Sequence, residues 1–339
     1  MPSPPDSVAP RPPVLVIAHR GASGDRPEHT LAAYRLAIEQ GANVIEPDLV
    51  ITRDGVLVAR HENEISETTD VASRPEFAGR RTTKTIDGEE RAGWFTEDFT
   101  LAELKTLRAV ERLPALRPAS AAYDGRFGVP TLNEVIALAQ EMGEARGRPV
   151  GLYPETKHPA HARALGLPLE EPLVAALHAA GYTSAEDPVW IQSFEVGSLE
   201  RLDGLTNLRL VQLAHPGGAP ADRPALGYDE MMTPEGLGGV AQYADAVGVA
   251  KAFVLGDRLA PTPLVADAHA AGLAVHVWTV RAENAFLPAP LRSSSDPAAL
   301  GDVAAEVRAL VAAGVDGLFT DHPALVLAAL GRGVTSGRW

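Results

Sequence analysis

No cysteine occurs among the 339 residues of this sequence. That absence excludes a disulfide scaffold, a thiolate zinc site and a cysteine nucleophile. Basic residues are the next shortage: 30 Lys and Arg stand against 44 Asp and Glu, a formal charge of −14. A nucleic-acid partner is therefore not expected, because a phosphate backbone is held by clustered Lys and Arg. An anionic small molecule would meet the same repulsion unless a metal or a few well-placed bases offset it. No apolar run approaches the ~18 residues needed to cross a bilayer, so no stable membrane insertion is expected. Residues 1–13, MPSPPDSVAPRPP, lack the basic start and apolar stretch of a secretory signal and read as a disordered Pro/Ser tail. As written, the sequence points to the cytoplasm, and to the periplasm or secretion if a leader has been removed. Also absent are a Gly-x-Ser-x-Gly elbow, a Walker loop and a His-Glu-x-x-His pair. Gly217-Gly218 and Gly236 to Gly239 follow no strand with dinucleotide spacing and read as loops.

What is present is a long alternation of two patterns. Short β-branched runs lie at Val14 to Ala18, Val44 to Asp48, Val150 to Pro154, Val189 to Ser193, Leu208 to Leu213, Ala246 to Val249, Ala274 to Val280 and Gly317 to Thr320. Between them lie amphipathic stretches, among them Thr30 to Gln40, Leu132 to Met142, Leu169 to Ala180, Thr262 to Ala271 and Val303 to Ala313. Ala180-Gly181, Ala271-Gly272 and Ala313-Gly314 end helices just before strands, as short connections do. Eight strands with crossover helices predict an α/β fold, a (β/α)8 barrel over residues 14–330. Residues 61–130 break the alternation. They are polar and turn-rich and predict a small insertion folded over the C-terminal mouth, since structureless loops of that length are rare unless functional. A second irregular stretch runs from Asn284 to Gly301.

Catalytic groups of such a barrel sit at the carboxyl ends of strands. The first run ends in His19-Arg20-Gly21. A histidine exchanges a proton near neutral pH, and an arginine can clamp a phosphate in bidentate fashion. In the second run Glu46 and Asp48 are two apart and share one face of a strand. Two such carboxylates inside a barrel repel each other unless a cation neutralises them. The third run supplies Glu155 and then Lys157. Three carboxylates from neighbouring strand ends make an all-oxygen site for a hard ion, Ca²⁺ or Mg²⁺. His61 closes the run Val56 to Ala59 and, beside His19 and these acids, gains a second candidate role in proton transfer. The other eight histidines lack such company and read as solvated or hydrogen-bonded.

The stretch His19-Arg20-Gly21-Ala22-Ser23-Gly24, then Pro27-Glu28-His29-Thr30, Glu46-Pro47-Asp48, Arg53-Asp54-Gly55 and His61 resembles the signature of the glycerophosphodiester phosphodiesterases. Pro154 to Pro159, Gln192 to Glu195, Trp278 to Arg281 and Gly314 to Asp321 match as well, with most likeness to the bacterial branch that is often periplasmic. The resemblance implies a TIM barrel that hydrolyses glycerophosphodiesters to sn-glycerol 3-phosphate and an alcohol. It implies His19 and His61 as general acid and base, and Glu46, Asp48 and Glu155 as ligands of one divalent ion. It further implies Arg20 and Lys157 at the phosphate and Trp278 as a wall of the substrate pocket. One departure stands out: Glu62 follows the second histidine where the family commonly has Asp, which puts any orienting contact from that carboxylate in question. A teichoic-acid or lysophospholipid phosphodiesterase is the nearest alternative, favoured by the aromatic stretch Gly93 to Phe99. A non-catalytic phosphodiester-binding barrel is the alternative of another class, and it would be expected to lack one of these histidines or carboxylates.

Overall fold

The computed structural model describes residues 12–332, so the expected tail lies outside the described residues except for Pro12 and Pro13. Eight parallel strands run Leu15–His19, Val44–Glu46 resumed as Asp48–Ile51, Gly151–Leu152 resumed as Glu155–Thr156, Trp190–Ser193, Arg209–Ala214, Ala246–Ala250, Ala274–Val280 and Gly317–Thr320. Each pairs with the next: Ile17 with Val44, Ile45 with Leu152, Glu155 with Gln192, Val211 with Gln192, Leu213 with Gly248, Val247 with Val275 and Val277 with Leu318. The eighth strand returns to the first through Phe319 and Ile17, so the ring closes. The fold is the eight-stranded α/β barrel that the alternation predicts.

Two layers of packing hold it. Inside the ring Ile17, Val44, Tyr153, Val211, Ala246 and Phe319 fill the barrel. There the Tyr153 hydroxyl donates to Nδ1 of buried His276 at 2.6 Å. Outside, the apolar faces of the helices seal the strands, as with Ala33, Tyr34, Ala37 and Ile38 of the helix Leu31–Glu39. Burying each large side chain contributes about 1.5–3 kcal/mol.

The structure departs from the sequence reading at several elements. The second and third strands are interrupted at Pro47 and at Tyr153-Pro154, because a proline has no N–H to give to a ladder. The first strand runs one residue further than read, so His19 is its last residue. Gly236 to Gly239 lie in a helix, Pro234–Val240, capped by Thr233, instead of a loop. A Cβ on Gly236 would stand 2.2 Å from the Glu230 carbonyl oxygen, which explains a helix former's absence there. Helices Val196–Asp203 and Pro323–Ala329 also escaped the amphipathic pattern.

After the second strand the chain folds back as Leu57–Ala59, antiparallel to Asp48–Ile51. The residues that follow build a small core of their own from Ile65, Val71, Phe77, Trp94, Phe99 and Leu107. A two-stranded hairpin, Thr82–Ile86 with Glu89–Gly93, projects from this core. Arg117, at the end of the segment, reaches the barrel and bonds Glu283 and Asp321 beyond the seventh and eighth strands.

Candidate active site

The first strand ends in a turn that only this local sequence allows. Arg20 has φ 60° and Gly21 φ 87°, and a Cβ on Gly21 would stand 2.6 Å from the Ala33 backbone. The turn aims the Arg20 amide at Glu46 Oε2, 2.9 Å away, and Ser23 Oγ donates to the His19 carbonyl at 2.8 Å. Glu46, Asp48 and Glu155 converge from the neighbouring strand ends, all three buried, each with an oxygen within 4.8 Å of the others. Gln192 Nε2 donates to Glu46 Oε1 at 2.9 Å. Burial, then Asp48 and Glu155, push the Glu46 carboxyl well above its usual range; burial likewise pushes Glu155 to about 8, Asp48 adding to it against Lys157. Burial acts on Asp48 too, but Arg20 and His29 overcome it and hold that carboxyl well below its usual range. Buried acids that resist ionising together fit a hard divalent cation, and all their donors are oxygen.

Two imidazoles flank the trio. His19 Nδ1 lies 2.6 Å from Asp321 Oδ1, so a carboxylate fixes the proton on Nδ1 and leaves Nε2 with its lone pair. Burial, helped by Arg20, lowers His19 to about 4 in spite of Asp321. His61 is lowered well below its usual value by burial, then Arg20 and Lys157. Both rings are therefore neutral near pH 7 and able to accept a proton. At position 62 the carboxylate stays near the ring, Glu62 Oε1 lying 3.2 Å from His61 Nδ1, while its Oε2 bonds Arg91 and His158.

The cations are held more tightly than the sequence suggests. Arg20 Nη1 donates to both Glu28 oxygens at 3.1 Å, and Nε lies 3.1 Å from Asp48 Oδ2. Nε makes no hydrogen bond despite that approach, and Nη2 is engaged by neither carboxylate. Lys157 Nζ lies 3.0 Å from Glu155 Oε1; burial opposes its charge, but Glu155, Asp48 and Glu62 outweigh it and leave its pKa raised. His19, Arg20, Glu46, His61, Glu155, Lys157 and Trp278 all line one cavity of about 540 Å³. Asp48 stands behind Arg20 and His29. Trp278 is anchored by its indole N–H on the Gly248 carbonyl at 2.9 Å.

Sequence reasoning missed the residues that support these. His29 Nε2 donates to Asp48 Oδ2 at 2.8 Å while Tyr34 holds its other nitrogen at 2.7 Å, so this histidine does keep the company of the acids. Asp321 and Arg281 lie in motifs quoted without a role, and Arg281 Nε donates to Asp321 Oδ2 at 2.8 Å. Arg112, which lines the cavity from the inserted segment and bonds Glu28 at 3.1 Å, carries no local signal at all. Conversely, Trp94, Phe95 and Phe99 are buried in the insertion and present no aromatic loop to a lipid. Among the described residues no helix is long and apolar enough to cross a membrane.

Comparison with known proteins gives this site a lineage. The model of the glycerophosphoryl diester phosphodiesterase family matches residues 19–325. A glycerophosphodiester phosphodiesterase of Arabidopsis thaliana is 36% identical over 321 residues, covering 90% of this chain and 82% of that protein. One from Haemophilus influenzae is 31% identical, covering 91% and 87%. A crystal structure of a putative glycerophosphoryl diester phosphodiesterase from Silicibacter pomeroyi superposes with a TM-score of 0.69 at 24% identity over 95% and 96% of the two chains. A phosphodiesterase of Oleispira antarctica, solved with the product sn-glycerol-3-phosphate, superposes with a TM-score of 0.58 at 23% identity over 94% and 96%. With a family model spanning the whole ring and relatives above 30% identity along most of their length, the chain belongs to the glycerophosphoryl diester phosphodiesterase family.

Proposed function

We propose that the protein hydrolyses glycerophosphodiesters to sn-glycerol 3-phosphate and an alcohol, with one divalent ion at Glu46, Asp48 and Glu155 and with His19 and His61 transferring protons. One observation carries the reading: two neutral imidazoles, three converging carboxylates and two cations line or back a single cavity. The names of the relatives support the substrate class. A hard cation such as Ca²⁺ or Mg²⁺ held there would supply positive charge against the phosphodiester anion. Arg20 Nη2 and Lys157 Nζ bind phosphate oxygens and add to that neutralisation. One histidine takes a proton from the attacking hydroxyl, and the other, protonated once the phosphodiester anion is bound beside it, gives that proton to the oxygen of the departing alcohol. Asp321 stabilises the imidazolium that forms on His19. The attacking group is the glycerol hydroxyl next to the ester, which arrives attached and oriented. Its attack expels the alcohol and leaves a cyclic phosphate, which a water opens with the histidines in exchanged roles. Trp278 forms the apolar wall against the glycerol carbons.

The test is release of glycerol 3-phosphate from glycerophosphocholine, glycerophosphoethanolamine, glycerophosphoglycerol and a lysolipid, before and after exhaustive chelation. Turnover of the small esters is expected, with loss on chelation and recovery with Ca²⁺ or Mg²⁺. Full turnover in the chelated protein refutes the ion site, and turnover of the lysolipid alone replaces the substrate. A substrate lacking the neighbouring hydroxyl is expected to bind and turn over very poorly; a normal rate there assigns the attack to water.

A further inference from the structure

A second cavity of about 400 Å³ opens beside the catalytic one, and Glu155, Lys157 and Phe194 line both. Its other walls are the hairpin turn at Asp87 and the residues Glu195, His215 and Tyr228. The three rings of Phe194, His215 and Tyr228 stand around one another, with centroids 6.0 Å, 6.1 Å and 5.0 Å apart. Phenyl and phenol rings such as Phe194 and Tyr228 present electron-rich faces to a cation, and Lys157 Nζ stands 5.8 Å from the Phe194 ring centre.

Glu195 adds a buried carboxyl that no cation among the described residues pairs with. It occupies the residue before the helix Val196–Asp203 but does not cap it. Its Oε2 accepts from the Ala160 amide at 3.0 Å, whereas Oε1, on a side chain only 4% exposed, has no hydrogen-bond partner. Asp222 repeats the pattern nearby, with Oδ2 bound to the Gly197 amide at 2.6 Å and Oδ1 unpartnered. The cations around the groove are all engaged elsewhere. Lys157 lies on Glu155 at 3.0 Å, Arg91 on Glu62 at 3.0 Å, and His158 on Asp87 and Glu62 at 2.5 and 2.8 Å. Among the described residues neither Glu195 nor Asp222 has a cationic partner. Burial, with Asp87 and Asp222 near, pushes Glu195 to about 8, so with no cation beside it the carboxyl keeps its proton near pH 7.

We propose that this groove receives the alcohol side of the substrate when that alcohol carries an ammonium group, as choline and ethanolamine do, with the cation against Glu195 and over the faces of Phe194, His215 and Tyr228. The inference rests on the phosphodiesterase reading and adds the chemistry of the leaving group to it. The shared lining at Glu155, Lys157 and Phe194 makes the groove continuous with the cavity that would hold the scissile phosphate.

The experiment measures the ratio of kcat/KM for glycerophosphocholine to that for glycerophosphoglycerol. Glu195→Gln is expected to lower the ratio about tenfold, the effect of losing one desolvated charge contact to an ammonium. His215 is exposed at the rim, so its variants leave the core untouched. His215→Lys should lower the ratio and His215→Glu should raise it, which keeps the test open if the Glu195 variant does not fold. An unaltered ratio across these variants overturns the proposal. If neither ester is hydrolysed, the phosphodiesterase reading has failed by itself, and the groove is judged by saturation-transfer NMR of the choline methyl protons on the intact protein. A signal that weakens in Glu195→Gln and His215→Lys supports it; no signal with the unaltered protein overturns it.

Discussion

His19 is only as effective as the charges that hold it. Asp321 fixes its tautomer from a position 302 residues away in the chain, and Arg117 and Arg281 in turn keep Asp321 ionised. Replacing His19 or His61 by Ala should cost roughly 10²–10⁴-fold in turnover with little change in substrate affinity. A variant that keeps near-normal turnover would return that ring to a structural role. Asp321→Asn should lower kcat by about 10²-fold, leave KM nearly alone and move the pH–rate profile, because the imidazolium loses its counter-charge. A loss that falls on KM instead would show that Asp321 shapes the cavity without acting through His19. The residues proposed to bear the chemistry were legible because they lie at the ends or breaks of short apolar strands. Their supports were not: Asp321, Arg117 and Arg112 reach the site only through closure of the ring and folding of the insertion, and no local pattern records that.

The inserted segment shows what a turn signal is worth. Asp87 and Gly88 have φ of 50° and 86° and join two strands by a two-residue turn. Asp-Gly between β-branched residues is the strongest short-range hairpin signal, yet the charged surroundings of residues 82–93 hid the strands on either side. This hairpin is tied to the barrel by His158, whose two ring nitrogens contact Asp87 and Glu62 at 2.5 and 2.8 Å. Burial opposes protonation of His158, but those two carboxylates outweigh it and raise its pKa from 6.5 to about 9. A group whose folded pKa is raised adds stability that is complete below pH 6.5 and is lost as the pH climbs through about 9. The difference in urea midpoint between the unaltered protein and His158→Gln should therefore be largest below pH 6.5 and shrink towards pH 10. A difference that stays constant over that range would deny the ion pair any part in docking the hairpin.

Across the whole molecule, the barrel was foreseen from eight strand-like runs separated by helices, and the ring closes through the ladders that this order demands. The insertion's path was not foreseen, because its small core assembles from residues spread between Val50 and Val129. Arg117 joins the two parts, and its guanidinium is nearly fully buried between Glu283 and Asp321. Arg117→Ala leaves two buried carboxylates short of a cation and should destabilise the protein by about 3 kcal/mol, measured by denaturant unfolding. Arg117→Lys should recover part of that loss, whereas equal losses in both variants would trace the effect to packing instead of charge. The ring of strands presents His19 and the acidic trio, whereas one margin of the neighbouring groove is the tip of a hairpin anchored outside the ring. The proposed chemistry and the proposed choice of leaving group therefore rest on separate parts of one fold. If the groove takes the alcohol as proposed, substitution at the Asp87 turn should alter which alcohols are released while the bond that breaks stays the same.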